Sequence, residues 1–279
     1  MRLAAVQLNS TADVARNLET AERLVRGAAA DGAELIGLPE KWNLLGPPDE
    51  LRAGAEPLDG PTLTAAASWA SELGVAVLAG SITERAGERL HNTSVLFDAT
   101  GAAVASYRKI HMFDVDVGGV AYRESDAETP GEGIVLAGLE AGGESLELGM
   151  TICYDVRFPE LYRILAIRGA RMFTVPAAFT MPTGSAHWEP LLRARAIENQ
   201  AFVLAPGQVG PAPPHYESWG HSMIVDPWGR VLAEAPDGEG FVAADLDLDE
   251  QERIRSELPS LANRRTDAYL WPEPMEAHR

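Results

Sequence analysis

The segment Gly149–Tyr162 reads GMTICYDVRFPELY and contains Cys153, the only cysteine among 279 residues. An apolar run ends just before the cysteine, and Pro159 opens a helical pattern a few residues later. This order predicts a strand, a sharp turn that carries the thiol, and a helix. Ligands of α/β proteins bind at the carboxyl ends of strands, which favours a functional thiol. A buried, inert thiol is the alternative that this segment alone leaves open.

The composition excludes several classes of partner. The formal net charge is −18 and the isoelectric point is about 4.7. Nucleic acids and anionic membranes bind basic surfaces, so we expect neither as a partner. An anionic small substrate would need a local positive pocket. The apolar fraction of 46% and the charged fraction of 23% are those of an ordinary globular protein.

Cysteine and histidine usage indicates the compartment and argues against a metal. One cysteine cannot form an internal disulfide, which favours a reducing, cytoplasmic location. The first residues, MRLAAVQLNS, are too short and too polar for a signal peptide, and we find no apolar run of membrane-spanning length. A zinc site built on thiolates is excluded, and the six histidines show no HxxxH or HExxH spacing.

Strand and helix patterns alternate along the chain. The helical patterns cover Asp13–Ala30, Pro61–Leu73, Glu160–Arg168 and Trp188–Gln200. The strand patterns cover Leu3–Leu8, Ala33–Leu38, Val75–Ala79, Glu147–Ile152, Ala170–Val175 and Ala201–Ala205. Hairpins are predicted for Thr93–Phe97 with Ala102–Lys109, and around Asp226–Gly229. Residues 114–133 are rich in Gly, Asp and Glu, and we expect them to form a loop.

The two halves of the chain resemble each other. The segment DGAELIGLP at 31–39 aligns with RGARMFTVP at 168–176, and NTSVLFDATGAAVA at 92–105 aligns with GHSMIVDPWGRVLA at 220–233. We interpret this as an internal duplication, with chance similarity of strand–helix units as the alternative. The fold class predicted is α/β, a four-layer αββα sandwich with internal pseudo-twofold symmetry. We expect residues 1–279 to form a single domain.

Two further charged residues follow apolar strand patterns. Glu40 comes after Pro39, and Lys109 ends the second strand of the first hairpin. Either could be a solvated charge on its own. Together with Cys153, however, they make a coherent set: a carboxylate can take the thiol proton, and an ammonium can hold the oxyanion that forms when sulfur attacks a carbonyl. The backbone N–H of Tyr154 is a second candidate donor to that oxyanion.

These three residues stand in motifs that resemble the nitrilase superfamily, the carbon–nitrogen hydrolases. The motifs are LPE with Glu40, YRKIHMF with Lys109 and CYDVRFPEL with Cys153, in the family's order Glu, Lys, Cys. The resemblance covers nearly the whole chain. It implies the αββα sandwich, no metal and no organic cofactor, and assembly as a homodimer or a higher homo-oligomer. It also implies that Glu124, in YRESD, is a second catalytic carboxylate; one more acid in an acidic loop is the alternative.

Within that family the chain is similar to the Nit branch, because residues 182–200 read PTGSAHWEPLLRARAIENQ. The resemblance implies an amidohydrolase that cleaves the carboxamide of a small, carboxylate-bearing substrate to carboxylate and ammonia through a cysteine thioester. Deaminated-glutathione-type amides and ω-amides of 2-oxo acids are the two substrate groups. A nitrilase of different specificity is the enzymatic alternative, and an idle scaffold that binds a partner is the non-enzymatic one.

The candidate substrate-binding residues are Tyr154, Arg157, Phe179 and Thr183. Arg157 could bind a carboxylate bidentately, or form an internal salt bridge with Asp155 or Glu160. Phe179 could line the pocket or belong to the core.

Other residues of these motifs have structural expectations. His187 and Trp188 are expected to pack, and Glu198 to pair with Arg193 or Arg195. The segment from Tyr269 to Trp271 is expected to pack across a dimer partner, unless it is a loose terminus. Replacing Lys109 by methionine is expected to leave the protein folded, as for an ordinary strand-end lysine.

Overall fold

The structure is a computed structural model that describes residues 1–117, 119–212 and 216–268. The expectation for Tyr269 to Trp271 lies outside these residues. Within them, no helix has both the length and the apolar character needed to cross a membrane.

Helices and strands alternate through most of the described chain. The helices are α1 Val14–Ala30, α2 Pro48–Ala53, α3 Pro61–Leu73, α4 Pro159–Ile167, α5 Met181–Asn199 and α6 Leu248–Glu257. The strands of the first half are β1 Arg2–Leu8, β2 Leu35–Gly37, β3 Ala76–Leu78, β4 Ile82–Ala86, β5 Arg89–Phe97, β6 Ala103–Arg108, β7 Asp114–Val117 and β8 Val120–Arg123. The strands of the second half are β9 Val135–Ala141, β10 Glu144–Met150, β11 Met172–Thr174, β12 Phe202–Ala205, β13 Gly207–Ala212, β14 Tyr216–Trp219, β15 Met223–Val225, β16 Val231–Glu234 and β17 Gly240–Asp245.

The strands form two large sheets with the same internal order. In one sheet β1, β2 and β3 are parallel, and β5 and β6 continue it as antiparallel strands. In the other sheet β10, β11 and β12 are parallel, and β15 and β16 continue it in the same way. The first sheet gains further strands from the second half, because β13 and β17 pair with β1. This repeated order matches the duplication inferred from the sequence.

The turns of the two aligned hairpins use the same hydrogen bonds. In each, an aspartate side chain accepts bonds from the backbone N–H groups two and four residues later. Asp98 does so in the first hairpin and Asp226 in the second. The N–H groups of Gly101 and Gly229 donate to the backbone carbonyls of the same two aspartates, at 2.9 Å in both turns. The aligned Asp and Gly letters therefore specify one turn geometry twice.

Alternation along β1 shows how the layers pack. Leu3 and Ala5 belong to a core shared with the second sheet, which includes Leu148 of β10. Ala4 and Val6 face the other way and pack with residues of α1 and α3. Because successive side chains of a strand point to opposite faces, one sheet contacts helices on one side and its twin on the other. The chain therefore has the αββα layering predicted from the sequence.

The prediction of a loop at residues 114–133 is wrong in part. Its first half forms a β-hairpin of β7 and β8, and Glu124–Asp126 form a 3-10 turn after it. The alternation of valine with aspartate in DVDV is the pattern of a strand with one solvent-exposed face. The prediction of a loop gave more weight to the many Gly and acidic residues of this segment. Strand β9 also lies just after this segment and was not predicted.

Gly80 makes a close turn that only glycine fits. Its φ is +40°, and a Cβ atom there would lie 1.9 Å from the carbonyl oxygen of Pro39. The N–H of Ser81 in turn donates to that same carbonyl at 3.1 Å. Because Glu40 follows Pro39 directly, this contact fixes the backbone from which the glutamate side chain projects.

We therefore expect Gly80→Ala to destabilise the protein far more than Gly87→Ala does. Gly87 also has a positive φ, +63°, but its added Cβ would meet no atom within 4 Å. A residue with a side chain pays about 1–2 kcal/mol for the left-handed backbone conformation alone. Gly87→Ala therefore measures this backbone cost without any steric contact. Urea unfolding of both variants measures the difference. Equal losses would contradict the close approach to Pro39.

Candidate active site

Glu40 lies at the carboxyl end of β2 and is held by three donors. Its Oε1 accepts bonds from Lys109 Nζ at 3.0 Å and from Asn92 Nδ2 at 2.8 Å. Its Oε2 accepts a bond from the backbone N–H of Ala178 at 2.8 Å. Its own carbonyl oxygen accepts a bond from Gln208 Nε2 at 2.9 Å. The carboxylate is therefore oriented by groups from both sheets: Asn92 and Lys109 of the first sheet bind one oxygen, and the Ala178 N–H of the second binds the other.

Lys109 follows β6, and its ammonium group lies between two carboxylates. Besides Glu40, Nζ donates to both oxygens of Glu124, at 2.8 and 3.0 Å. The side chain is only 2% exposed. Burial acts to lower the pKa of Lys109, but the charges of Glu124 and Glu40 outweigh it and hold the pKa well above its ordinary value. Lys109 is thus a fixed positive charge rather than a proton donor.

Glu124 enters the site from the 3-10 turn after β8. Its Oε2 also accepts a bond from the backbone N–H of Phe113, at 2.7 Å. Burial acts to raise the pKa of Glu124, but the nearby charges of Lys109 and Lys41 lower it well below the ordinary range. The carboxylate is therefore ionised, and its bonds fix the position of the lysine ammonium.

Cys153 lies on a strained turn between β10 and α4. Its φ is +46°, in the left-handed region that side chains disfavour. Its N–H donates to the carbonyl of Pro176 at 2.9 Å. The turn is fastened from inside by the buried carboxylate of Asp155, which accepts bonds from the Ile152 N–H and from Tyr107 Oη, at 2.8 and 2.7 Å. These bonds keep the thiol aimed at the site.

The thiol of Cys153 lies beside the carboxylate of Glu40 on the floor of one cavity. It is close enough for that carboxylate to shift its pKa. Burial raises its pKa, and the negative charge of Glu40 raises it further, while Lys109 only partly opposes these effects. The resting sulfur is therefore a neutral thiol. It needs a base to become a nucleophile, and the Glu40 carboxylate lies beside it on the same cavity floor.

A cavity of about 320 Å³ opens above these groups. Its floor contains Glu40, Lys109, Glu124 and Cys153. Its walls are mainly apolar, and the described residues that form them include Leu45, Pro47, Leu51, Phe113, Val120, Ala121, Tyr154, Ala178, Phe179 and Thr183. The β7–β8 hairpin supplies one wall. The volume suits a small organic molecule.

Three of the four predicted substrate-binding residues, Tyr154, Phe179 and Thr183, line this cavity. Arg157 is not among the described residues that line it. Its guanidinium carbon lies 5.1 Å from the ring centre of Phe179 and 5.8 Å from that of Tyr154. Its Nη1 lies 3.3 Å from His187 Nδ1. Of the two acids proposed as its internal partner, Asp155 and Glu160, the first bonds instead to Tyr107 Oη and to the Ile152 N–H. Arg157 therefore contacts the aromatic wall of the cavity.

The remaining expectations for this region concern packing. Trp188 is buried, and its indole donates to the carbonyl of His221. Glu198 pairs with Arg195 at 2.8 Å, one of the two partners predicted for it. Among the described residues, no group of three or more His, Cys, Asp or Glu side chains is arranged to hold a metal ion.

A family profile described as carbon-nitrogen hydrolase matches residues 2–256. The chain belongs to the carbon–nitrogen hydrolase family. Its fold is that of the family, as the sequence motifs predicted.

Named relatives of this hydrolase are amidases. A deaminated glutathione amidase of Bos taurus is 40% identical over 274 residues, covering 96% of this chain and 83% of the relative. Omega-amidase NIT2 of Danio rerio is 37% identical over 269 residues, covering 96% of both chains. A solved structure of a mutant amidase from Nesterenkonia sp. AN1 shows acrylamide added to the active-site cysteine. It superimposes with a TM-score of 0.77 at 28% identity and covers 93% of this chain and 98% of that one.

Sequence reasoning missed several groups of this site. Asn92 donates to Glu40 and, at 3.2 Å, to Glu124, so it ties the two carboxylates together. It stands in the aligned segment NTSVLF, where an internal polar residue of an apolar strand was the available signal. Lys41 and Glu128 also line the cavity as an ion pair, and nothing in their sequence spacing connects them.

The burial of Lys109 overturns the expectation that its loss leaves the fold unaffected. We expect Lys109→Met to lower the free energy of unfolding by about 3–5 kcal/mol, because Glu40 and Glu124 would face each other unpaired. Urea unfolding measures this loss. The double variant Lys109→Met/Glu124→Gln removes one of the two charges and should regain part of the stability without regaining turnover. A single variant as stable as wild type would contradict this account.

Proposed function

We propose that this hydrolase cleaves the amides of 2-oxo acids by nucleophilic catalysis at Cys153. The observation that carries the proposal is the convergence of Glu40, Lys109 and Cys153 at the floor of one cavity, where the Glu40 carboxylate accepts a bond from the Lys109 ammonium and raises the pKa of the thiol. A base, a nucleophile and a fixed cation thus meet where a bound amide would lie. The named relatives support the amide chemistry.

The first step begins with proton transfer. Glu40 accepts the thiol proton as the sulfur attacks the amide carbonyl carbon, forming a C–S bond and a tetrahedral oxyanion. Glu40 then returns the proton to the leaving nitrogen. The C–N bond breaks, the amine or ammonia departs, and a thioester remains on Cys153. The cysteine adduct in the Nesterenkonia amidase supports a reactive thiol at this position.

The oxyanion would be held by Lys109 Nζ and by the backbone N–H of Tyr154. In the resting site the ammonium group directs two of its bonds to Glu124. One of these can be given up to the oxyanion while the other keeps the lysine in place. Glu124 is then a positioning residue for the ammonium group. Loss of one oxyanion donor typically slows an enzyme by a factor of about 10²–10³.

Water completes the reaction by attacking the thioester. Glu40 takes a proton from that water, a second tetrahedral oxyanion forms, and the C–S bond breaks to release the carboxylate product. The proton on Glu40 returns to the sulfur. The second proton of the water leaves with the acid product and passes to the released amine, so amide plus water gives carboxylate plus ammonium. The cycle needs no electron transfer.

The cavity and the relatives narrow the substrate. Its apolar walls suit a short aliphatic acyl chain, and its charged floor suits the reacting amide. The named relatives act on deaminated glutathione or are omega-amidases. An ω-amide such as α-ketoglutaramate releases ammonia, whereas the peptide amides of deaminated glutathione carry a substituent on nitrogen and release an amine. Recognition of the substrate carboxylate by Arg157 remains a prediction.

Turnover of α-ketoglutaramate and of deaminated glutathione tests the proposal. We expect wild type to release ammonia from the first or a new amine from the second, and Cys153→Ala to release neither, because the nucleophile is gone. Glu40→Gln should lose at least about 10²-fold in kcat, since a positioned base typically contributes about 10²–10⁴-fold. Mass spectrometry of the wild type with substrate should show the acyl group on Cys153. Equal turnover by wild type and Cys153→Ala would contradict thiol catalysis.

A nitrilase is the enzymatic alternative, and ammonia release from a nitrile but from no amide would favour it. An idle scaffold is the other alternative. The bonds of Lys109 to Glu40 and Glu124 beside the Cys153 thiol argue against the scaffold, because an unused site has no need of two buried carboxylates at that place.

We further propose that the chain works as a single catalytic domain in the cytoplasm, where its lone thiol stays reduced, and that it forms a homodimer. Exposed apolar side chains on α4, on α5 and on the β15–β16 turn support an interface between copies: Ile164, Ile167, Ile197 and Trp228. Ile197→Glu should then lower the mass seen by light scattering from about twice 29.9 kDa to one chain. A single-chain mass for wild type would contradict the dimer.

A further inference from the structure

One ion pair in the cavity wall takes no part in the chemistry described above. Lys41 Nζ donates to both carboxylate oxygens of Glu128, each at 3.0 Å. Both residues line the same cavity as Cys153. Lys41 follows Glu40 directly, and the N–H of Glu128 donates to the carbonyl of Glu124 at 3.0 Å. The pair therefore lies beside both carboxylates of the floor.

The pair presents its positive end to the cavity. The side chain of Lys41 is 10% exposed, whereas that of Glu128 is 1% exposed. Glu128 also accepts a bond from Thr83 Oγ1 at 3.1 Å, so its oxygens are occupied from behind. An ammonium group has three N–H donors, and the described residues provide acceptors for two of them. The third is available to an acceptor on a bound molecule.

Burial acts to lower the pKa of Lys41, but the charge of Glu128, helped by Glu124 and Glu40, raises it above its ordinary value. Lys41 therefore stays charged. Its backbone is held as well, because its N–H donates to Ser81 Oγ at 3.0 Å and its φ is +51°. The ammonium group is thus both permanently positive and fixed in place.

The rest of the floor has the opposite charge. Glu40 and Glu124 carry one negative charge each and Lys109 carries one positive charge, so the three groups sum to −1. By itself, this floor would attract an ammonium group on a substrate. A 2-oxo acid amide and the corresponding amino acid amide differ at one carbon, which carries a carbonyl oxygen in the first and an ammonium group in the second. A charge near that carbon would separate them.

We propose that Lys41, backed by Glu128, selects 2-oxo acid amides against amino acid amides. The inference rests on the proposed function and names the substrate group that the site recognises, the substituent at the 2-position. The free N–H of Lys41 donates to the 2-oxo oxygen of the acyl chain. An ammonium group at the same carbon offers no acceptor and meets a like charge, which costs affinity. The floor alone would have the opposite preference.

The ratio of two turnover rates tests this selection. α-Ketoglutaramate and glutamine share a carbon skeleton and differ only at the 2-position, so the quotient of their kcat/KM values isolates that group. In Lys41→Met/Glu128→Gln we expect the quotient to fall by about tenfold or more, because the repulsion and the hydrogen bond are both lost. Both partners are changed together so that no buried charge is left unpaired.

The chain offers a matched control in the pair of Arg108 and Glu84. Arg108 also donates twice to a glutamate, at 2.8 and 2.6 Å, and that glutamate also accepts a threonine hydroxyl. Arg108 is a direct neighbour of Lys109 in the chain, just as Lys41 is of Glu40. However, neither Arg108 nor Glu84 is among the described residues that line the cavity. Arg108→Met/Glu84→Gln should leave the quotient unchanged even if stability or kcat falls.

An exchange of charges gives a second variant. In Lys41→Glu/Glu128→Lys the pair keeps its net charge, but its negative end faces the cavity, so the quotient should fall further and glutamine should gain. A quotient that is the same as wild type in Lys41→Met/Glu128→Gln, or that falls equally in the Arg108 control, would overturn the inference and leave a structural role for the pair.

A binding measurement separates this inference from the proposed function. In the Cys153→Ala background, calorimetry compares 2-oxoglutarate with glutamate, the acids left after cleavage of the two amides. Stronger binding of 2-oxoglutarate that disappears when Lys41→Met/Glu128→Gln is added would support the selection. If wild type cleaves neither amide, the proposed function fails, but the ratio of the two binding constants still tests the role of Lys41. Equal binding of the two acids would overturn that role.

Discussion

A single ammonium group, buried between two carboxylates, is the interaction on which this site depends. Lys109 bonds to Glu40 and Glu124, which approach from different parts of the chain, and its charge helps to hold the pKa of Glu124 well below the ordinary range. The same charge that stabilises the folded site is the one that a reacting carbonyl oxygen would meet. The stability of the folded site and the proposed chemistry therefore both depend on the Lys109 ammonium group, so a substitution there affects both.

The site exists because two sheets pack against each other. Glu40 and Lys109 follow strands of the first sheet, whereas Cys153 follows β10 of the second. The core that the sheets share, which includes Leu3 of β1 and Leu148 of β10, sets the separation of thiol and carboxylate. The Ala178 N–H, which follows β11 of the second sheet, donates to Glu40 and so links the two sheets at the site. A small shift between the sheets would break the site without altering any of its residues.

The sequence predicted the parts that local patterns encode. Duplicated motifs with Asp98 and Asp226 at equivalent turns predicted the layered fold, and three residues after apolar strands predicted the floor of the cavity. It could not predict side-chain partners that are distant in the chain, such as Lys41 with Glu128, because no periodicity or spacing links them. Nor could it predict how the floor residues are divided between the two sheets, because strand order depends on long-range pairing.

The backbone at Cys153 has a consequence for how such a protein can change. A residue with a side chain is held there at a φ that glycine would adopt freely, so the fold is less stable than it could be. Glycine would relieve this strain but would remove the sulfur on which the proposed reaction depends. The proposed reaction therefore places a trade between stability and catalysis at this one turn.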